Sequence, residues 1–197
     1  MDKLSWKPGT MIYPLPAVMV SCGATREEFN IITVSWTGTI CTDPPMCYIS
    51  LRPERHSYGI IIRNREFVIN LTTSGIVGAA DWCGVRSGRE YDKFAETGLT
   101  PIKASKVNAP MIGESPVNIE CRVKDIIELG THHMFISEVV AVNAGKNLFD
   151  ERTGEFRLYK ADLVSYSHGK YYETGSFIGK FGFSVKKSKS KRRRKQV

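Results

Sequence analysis

The sequence predicts a mainly β protein with a few short helices. Three observations carry that expectation. Short apolar or alternating runs rich in Val, Ile, Thr and aromatic residues recur along the chain, Gly and Pro punctuate them, and helical periodicity holds over only two or three brief windows. Many strands with so little helix point to a barrel or sandwich and away from a doubly wound α/β fold.

Ala17 to Cys22 is a continuous apolar run, as expected of a strand covered on both faces. Ala24 to Glu28 is polar and turn-like, and Ile31 to Trp36 resumes as a β-rich strand, so the two runs predict a hairpin. Asp43-Pro44-Pro45 is a hard break, after which Met46 to Leu51 is a third strand ended by Arg52-Pro53. Between Ser57 and Asn64, Tyr58, Ile60, Ile61 and Ile62 suit a short helix with Ser57 as its N-cap. Phe67 to Leu71 then returns as a strand. A second helix is expected from Ser74 to Trp82, ended by a loop from Cys83 to Glu90 in which Gly84 and Gly88 act as breakers, with a short turn at Asp92 to Glu96. Val117 to Leu129 alternates as a long strand with Val117, Ile119, Cys121 and Val123 on one face. Gly130-Thr131 turns it, and His132 to Val142 comes back antiparallel. Beyond residue 147 the pattern is weaker: Asp150 to Gly154 is turn-like, Ala161 to Tyr166 fits strand or irregular structure, and Gly175, Gly179 and Gly182 break the remainder.

A chain of 197 residues with 42% hydrophobic and 24% charged residues can bury one sizeable core. We expect one domain over residues 1–185 and a basic, disordered tail over 186–197. The formal net charge is +8, but eight of the 28 Lys and Arg lie in that tail, leaving 20 against the chain's 20 Asp and Glu. A neutral body argues against a DNA-binding domain, which needs cations on a structured face. The tail is read as a solvated terminus or as a weak polyanion binder. Five cysteines without CxxC or Cys/His pairs at zinc spacing imply reduced thiols and no metal site. No signal segment or bilayer-length apolar run is present, so a cytoplasmic protein without membrane contact is expected.

The chemistry concentrates between Asn30 and Tyr58. Ser50-x-Arg52-x-x-Arg55-x-Ser57 places two guanidiniums and two hydroxyls in eight residues leading into a helix N-terminus, the donors a phosphate monoester requires. The bland alternative is a solvated Arg/Ser loop. Next to it, Val34-Ser35-Trp36-Thr37-Gly38 could hydrogen-bond the edge of a flat heterocycle, although Trp36 also suits a core position.

In their order these residues resemble the flavin reductase-like family, of flavoredoxin type. The resemblance runs through Asn30 to Gly38 (N-x-x-T-x-S-W-T-G), Asp43 to Pro45, Ser50 to Ser57, Phe67 to Leu71, Asp81 to Gly84, Ser87 to Arg89, Asp92 to Phe94, Thr97 to Leu99 and Gly130 to His132, covering about residues 10–185. It implies a split β-barrel that binds FMN non-covalently near a homodimer interface. Ser50, Leu51, Arg52, Arg55, Ser57 and Lys93 then belong to the phosphate side, and Asn30, Ser35, Trp36, Thr37 and Cys83 to the cofactor's surroundings. Cys83 would pack against the ring or serve as a redox thiol. His132 matches the histidine on the nicotinamide side and is the catalytic candidate, with a passive turn residue as the alternative. Here Thr131 stands where the family's usual Gly-Asp-His has its acid. The implied function is an FMN-dependent oxidoreductase passing electrons from NAD(P)H to a flavin, a metal ion or a redox partner. A non-enzymatic FMN electron carrier and a polyanion-binding protein acting through the tail are the alternatives. No G-x-G-x-x-G follows a strand, so a nicotinamide would have to meet the flavin directly.

Overall fold

The computed structural model describes residues 1–185. The tail over 186–197, with the disorder and polyanion binding expected of it, lies outside the described residues. In chain order the elements are β1 (Leu15–Pro16), β2 (Val18–Cys22), β3 (Asn30–Val34), β4 (Thr37–Thr42), β5 (Pro45–Leu51), α1 (His56–Asn64), β6 (Glu66–Leu71), α2 (Val77–Val85), α3 (Lys93–Thr97), β7 (Pro101–Ile102), β8 (Met111–Ile112), β9 (Val117–Glu128), β10 (His133–Ala144), β11 (Val164–Ser167) and β12 (Lys170–Glu173).

Seven strands form one antiparallel sheet in the order β3-β2-β6-β9-β10-β5-β4. The sheet curls until β3 comes back against β5, and Ser50 N–H donates to the Trp36 carbonyl at 2.9 Å, extending the β4–β5 pairing by one step towards the β3–β4 junction. Register shifts at Ile136/Ser137 and Val139/Ala141 in the β9–β10 ladder mark the irregularities that let long strands bend around a barrel.

The buried residues explain why β2 is apolar without interruption. Val18, Val20 and Cys22 point into the barrel with Ile32, Ile49, Phe67 and Phe135, while Met19 on the other face packs with Ile31, Ala80, Cys83 and Phe94 under α2 and α3. Both faces are covered. Each large side chain buried this way contributes about 1.5–3 kcal/mol. Ile119, Cys121 and Val123 share the barrel-facing side of β9 as expected.

Several expectations need correction. Residues Thr37 to Thr42 form a separate strand, and Asp43-Pro44 is the turn of a β4–β5 hairpin. The N-cap of α1 is Arg55, whose side chain makes no capping bond; Ser57 sits inside the first turn and is buried. The second helix is a 3₁₀ turn at Ser74–Ile76 followed by α2, so Cys83 and Gly84 are helical. The turn at Asp92 to Glu96 is the helix α3, capped by Asp92, whose carboxylate accepts from Phe94 and Ala95 N–H at 3.1 and 3.2 Å. His132 lies in the turn before β10. The weakly patterned region contains the β11–β12 hairpin, joined to β1 in a second, three-stranded sheet.

Candidate functional site

Two adjoining cavities lie where β3, β5, α1 and α2 come together. The larger, about 390 Å³, is lined by residues including Val34, Ser35 and Trp36 from the β3–β4 junction, Ser50, Leu51, Arg52 and Arg55, and His132. The smaller, about 110 Å³, is lined by residues including Asn30, Arg55, His56, Ser57, Cys83, Arg86, Gly88 and Lys93. Ile32, Arg55 and Gly84 line both, so the two cavities adjoin.

The smaller cavity has the chemistry of an anion site. Ser57 is in the first turn of α1, where backbone N–H groups are unpaired by the helix. Its hydroxyl accepts from Asn30 Nδ2 at 2.7 Å, which fixes both side chains. Lys93 is 3% exposed, and its Nζ donates to the carbonyls of Ile31 and Cys83 at 2.7 and 2.6 Å. Among the described residues its ammonium has no carboxylate partner. Burial pushes it down to about 8, the response of a cation lacking a counter-charge. His56 is held below its ordinary value by burial first and then by Arg89, Lys93 and Arg63. Glu54 is the lone carboxylate in the lining. A dianionic phosphate fits this donor set. Gly88 adds a geometric requirement, because a Cβ there would lie 2.1 Å from Asn30 Oδ1.

The larger cavity has an aromatic wall. The Trp36 and His132 rings lie 4.3 Å apart at 39°. Burial, then the charge of Arg52, holds His132 below its ordinary value, and its Nδ1 shares a 3.0 Å hydrogen bond with the Thr131 hydroxyl. A neutral imidazole is therefore the form present near pH 7.

Of the residues expected at the site, the structure brings Ser35, Trp36, Ser50, Leu51, Arg52 and His132 to the larger cavity and Asn30, Ser57, Cys83 and Lys93 to the smaller, with Arg55 at the junction. Thr37 lines neither; its hydroxyl donates to the Tyr48 carbonyl at 2.6 Å inside the β4–β5 hairpin. Burial pushes the Cys83 thiol up to about 11. That shift favours the protonated thiol at neutral pH. Arg86, Gly88, Asp81, Tyr166 and Tyr171 also line the cavities and were not singled out as site residues from the sequence. For Gly88 a signal existed in the Ser87-Gly88-Arg89 motif; for the two tyrosines there was none.

The thiols Cys22, Cys41, Cys47, Cys83 and Cys121 are all free. Among the described residues no cluster of three or more His, Cys, Asp or Glu is placed to hold a metal ion, and no helix is long and apolar enough to cross a membrane.

Comparison with known proteins agrees with this geometry. A family model described as a flavin reductase like domain matches residues 10–175. The flavoredoxin of Desulfovibrio vulgaris (Miyazaki F) superposes with a TM-score of 0.86 at 32% identity, covering 94% of this chain and all of that one. A flavoredoxin from Methanosarcina acetivorans, 24% identical, shares the fold with a TM-score of 0.83 over 94% of this chain and all of that one. The reductase component of a 4-nitrophenol 4-monooxygenase/4-nitrocatechol 2-monooxygenase from Rhodococcus opacus is 28% identical over 132 residues, 65% of this chain and 68% of its own length. With its seven-stranded split barrel and a family match over most of its length, the chain belongs to the flavin reductase-like family.

Proposed function

We propose that this protein binds FMN non-covalently and acts as an oxidoreductase that moves electrons from NAD(P)H to a flavin, a metal ion or a redox partner. The observation that carries the reading is the pair of adjoining cavities, one with an aromatic and imidazole wall and one with a buried Lys93 that has no carboxylate partner among the described residues, beside Arg55 and Ser57. Lys93, Arg55, Ser57 and the first turn of α1 would hold the phosphate, and Trp36, Ser35 and His132 would border the ring. FMN, when bound, would supply the hydride and electron-transfer chemistry, and these residues would position it. His132, neutral near pH 7, can donate or accept one hydrogen bond at its free Nε2 and so orient a carboxamide.

Stopped-flow mixing of FMN-loaded protein with NADH and with NADPH tests the reaction. Bleaching of the flavin absorbance faster than for free FMN is expected with at least one of them, and slower bleaching after His132→Ala. If neither nucleotide outpaces free FMN, the reductase reading fails and the second reading stands: a non-enzymatic electron carrier reduced by another protein. Thr131 beside His132, in place of an acid, favours that second reading.

Large apolar side chains stand out from the body near both termini, among them Leu4 at 95%, Trp6 at 77%, Phe177 at 79% and Phe181 at 107% exposure. Unpaired apolar arms of this size support a homodimer in which each copy covers the other's arms. Sedimentation velocity checks it, with a monomer at micromolar concentration contradicting it. Five free thiols favour a reducing compartment such as the cytoplasm.

A further inference from the structure

The part of the larger cavity not used by the proposed FMN contacts is built from other elements. Asp81 and Val85 come from α2, and Tyr166, Gly169 and Tyr171 from the β11–β12 hairpin. The hairpin is a defined piece of structure. His168 and Gly169 have φ of 46° and 77°, and Ser167 pairs with Lys170, so the turn is a two-residue loop with both central residues left-handed. That turn sets a register in which Tyr166 faces Tyr171, their ring centroids 5.5 Å apart at 61°. The hairpin is tied down on several sides. Leu15 of β1 pairs with Tyr166, the Tyr13 ring lies 4.4 Å from that of His168, and Val164 N–H donates to the Thr72 carbonyl at 3.1 Å.

Tyr171 links this hairpin to α2 by donating its hydroxyl to Asp81 Oδ1 at 3.1 Å. Burial, and then Asp81 itself, pushes the Tyr171 phenol up to about 12, so it remains a donor at any ordinary pH. Among the described residues no other side-chain hydrogen bond or ion pair reaches the Asp81 carboxylate, which leaves Oδ2 free to accept. Asp81 is also the lone carboxylate in the lining, in a cavity whose cations, Arg52 and Arg55, lie in the segment between β5 and α1.

We propose that Tyr166, Tyr171 and Asp81 form a second subsite of this cleft that selects a planar aromatic compound carrying a neutral hydrogen-bond donor over one carrying an anionic group. The tyrosine pair supplies the apolar, edge-and-face surface that an aromatic plane packs against. Asp81 accepts from an amide, amino or phenolic donor and repels a carboxylate. The inference rests on the FMN reading, since the subsite would present such a compound to the cofactor.

The test uses benzamide and benzoate, which share a ring and differ in donor against anion. Each is titrated into FMN-loaded wild type, Asp81→Asn, Tyr166→Leu and Tyr171→Phe and followed through the absorbance of bound FMN, while FMN affinity is measured for every variant. Wild type is expected to hold benzamide at least fivefold tighter than benzoate. Asp81→Asn should bring the two within twofold. Tyr166→Leu should weaken both at least fivefold, and Tyr171→Phe, which keeps its ring, should retain them, with FMN affinity within twofold of wild type throughout. An unchanged benzamide-to-benzoate ratio in Asp81→Asn, unchanged binding in Tyr166→Leu, or loss of FMN from these variants would overturn the subsite while leaving the FMN reading intact. Failure of wild type to bind FMN at all would instead overturn the FMN reading and the subsite with it.

Discussion

If Lys93 holds the FMN phosphate as proposed, FMN affinity depends on pH. Its ammonium is 3% exposed, bonded to two carbonyls, and pushed down to about 8 by burial. A phosphate dianion in the adjoining cavity would restore the missing counter-charge and raise that value again. Binding therefore takes up a proton wherever the free protein has already lost it. Affinity is full below about 8 and weakens as pH rises through it, approaching tenfold, about 1.4 kcal/mol, per unit. The phosphate's own second ionisation lies near 6, so it is complete in this window and does not imitate the effect. In Lys93→Met the affinity should be weaker by about 1.5–3 kcal/mol at pH 7, the worth of a hydrogen bond to a charged group, and flat between pH 7 and 9. The stability of the FMN-free protein should move the opposite way. Its folded Lys93 binds a proton less tightly than the unfolded chain, so stability rises with pH between about 8 and the ordinary value of 10.5. FMN fluorescence titrations at pH 7, 8 and 9 supply the affinities. A flat wild-type profile, or an equal slope in Lys93→Met, would refute the reasoning.

Three further outcomes follow from other contacts. Arg55 lines both cavities, whereas Arg52 has a half-exposed side chain leaning on Glu54 at 3.5 Å; Arg55→Ala should weaken FMN by about 1.5–3 kcal/mol and Arg52→Ala by less than about 1 kcal/mol, a ranking that titration calorimetry would expose as wrong if reversed. Gly88→Ala puts a methyl 2.1 Å from Asn30 Oδ1 and should pull Asn30 off Ser57, weakening FMN by about an order of magnitude with the fold retained by circular dichroism; unchanged affinity would show that the loop moves aside. Glu120 is fully buried and accepts from Ser105 N–H and hydroxyl, Lys106 N–H, Val107 N–H and Asn143 Nδ2 at 2.6–3.1 Å. Burial alone would raise its carboxyl, but these donors together hold it below the usual range, so its contribution is present above pH 4.5 and lost as pH falls through the lowered value. Glu120→Ala should cost about 3 kcal/mol or more in urea unfolding, and a loss under about 1 kcal/mol would contradict the satisfied-carboxylate account.

The barrel strands were legible because burial writes itself into the sequence. β2, β6 and β9 have apolar faces that a sheet interior demands, and the structure has them where the pattern placed them. β4 was missed for the opposite reason: Thr37 to Thr42 is an outer strand with half-buried and exposed positions, so no apolar period marks it. Gly84 was misread as a breaker. Inside α2, a Cβ at this position would come 3.2 Å from that of Thr33, so the glycine allows the helix to lie close on β3 and does not end it. Ser57 was misplaced as a cap because its partner, the Asn30 amide, is 27 residues away and invisible to local pattern.

The site divides along the same line. Ser50 to Ser57 showed its cations and hydroxyls locally, because a strand running into a helix brings consecutive residues to one end. Lys93 came only through family resemblance, since nothing in Asp92-Lys93-Phe94 reveals that α3 drives the ammonium under β3. Tyr166 and Tyr171 came from neither source. The bond from Tyr171 to Asp81 joins segments 90 residues apart, and it depends on how the hairpin docks beside α2.

The small cationic cavity is proposed to hold the phosphate of a flavin whose ring lies in the larger one. Parallel equilibrium titrations of the flavin-free protein with FMN and with riboflavin, which lacks only the phosphate, test it most directly. Contacts from Lys93 and Arg55 predict that FMN binds at least roughly 100-fold tighter. Equal affinities for the two flavins would contradict the claim.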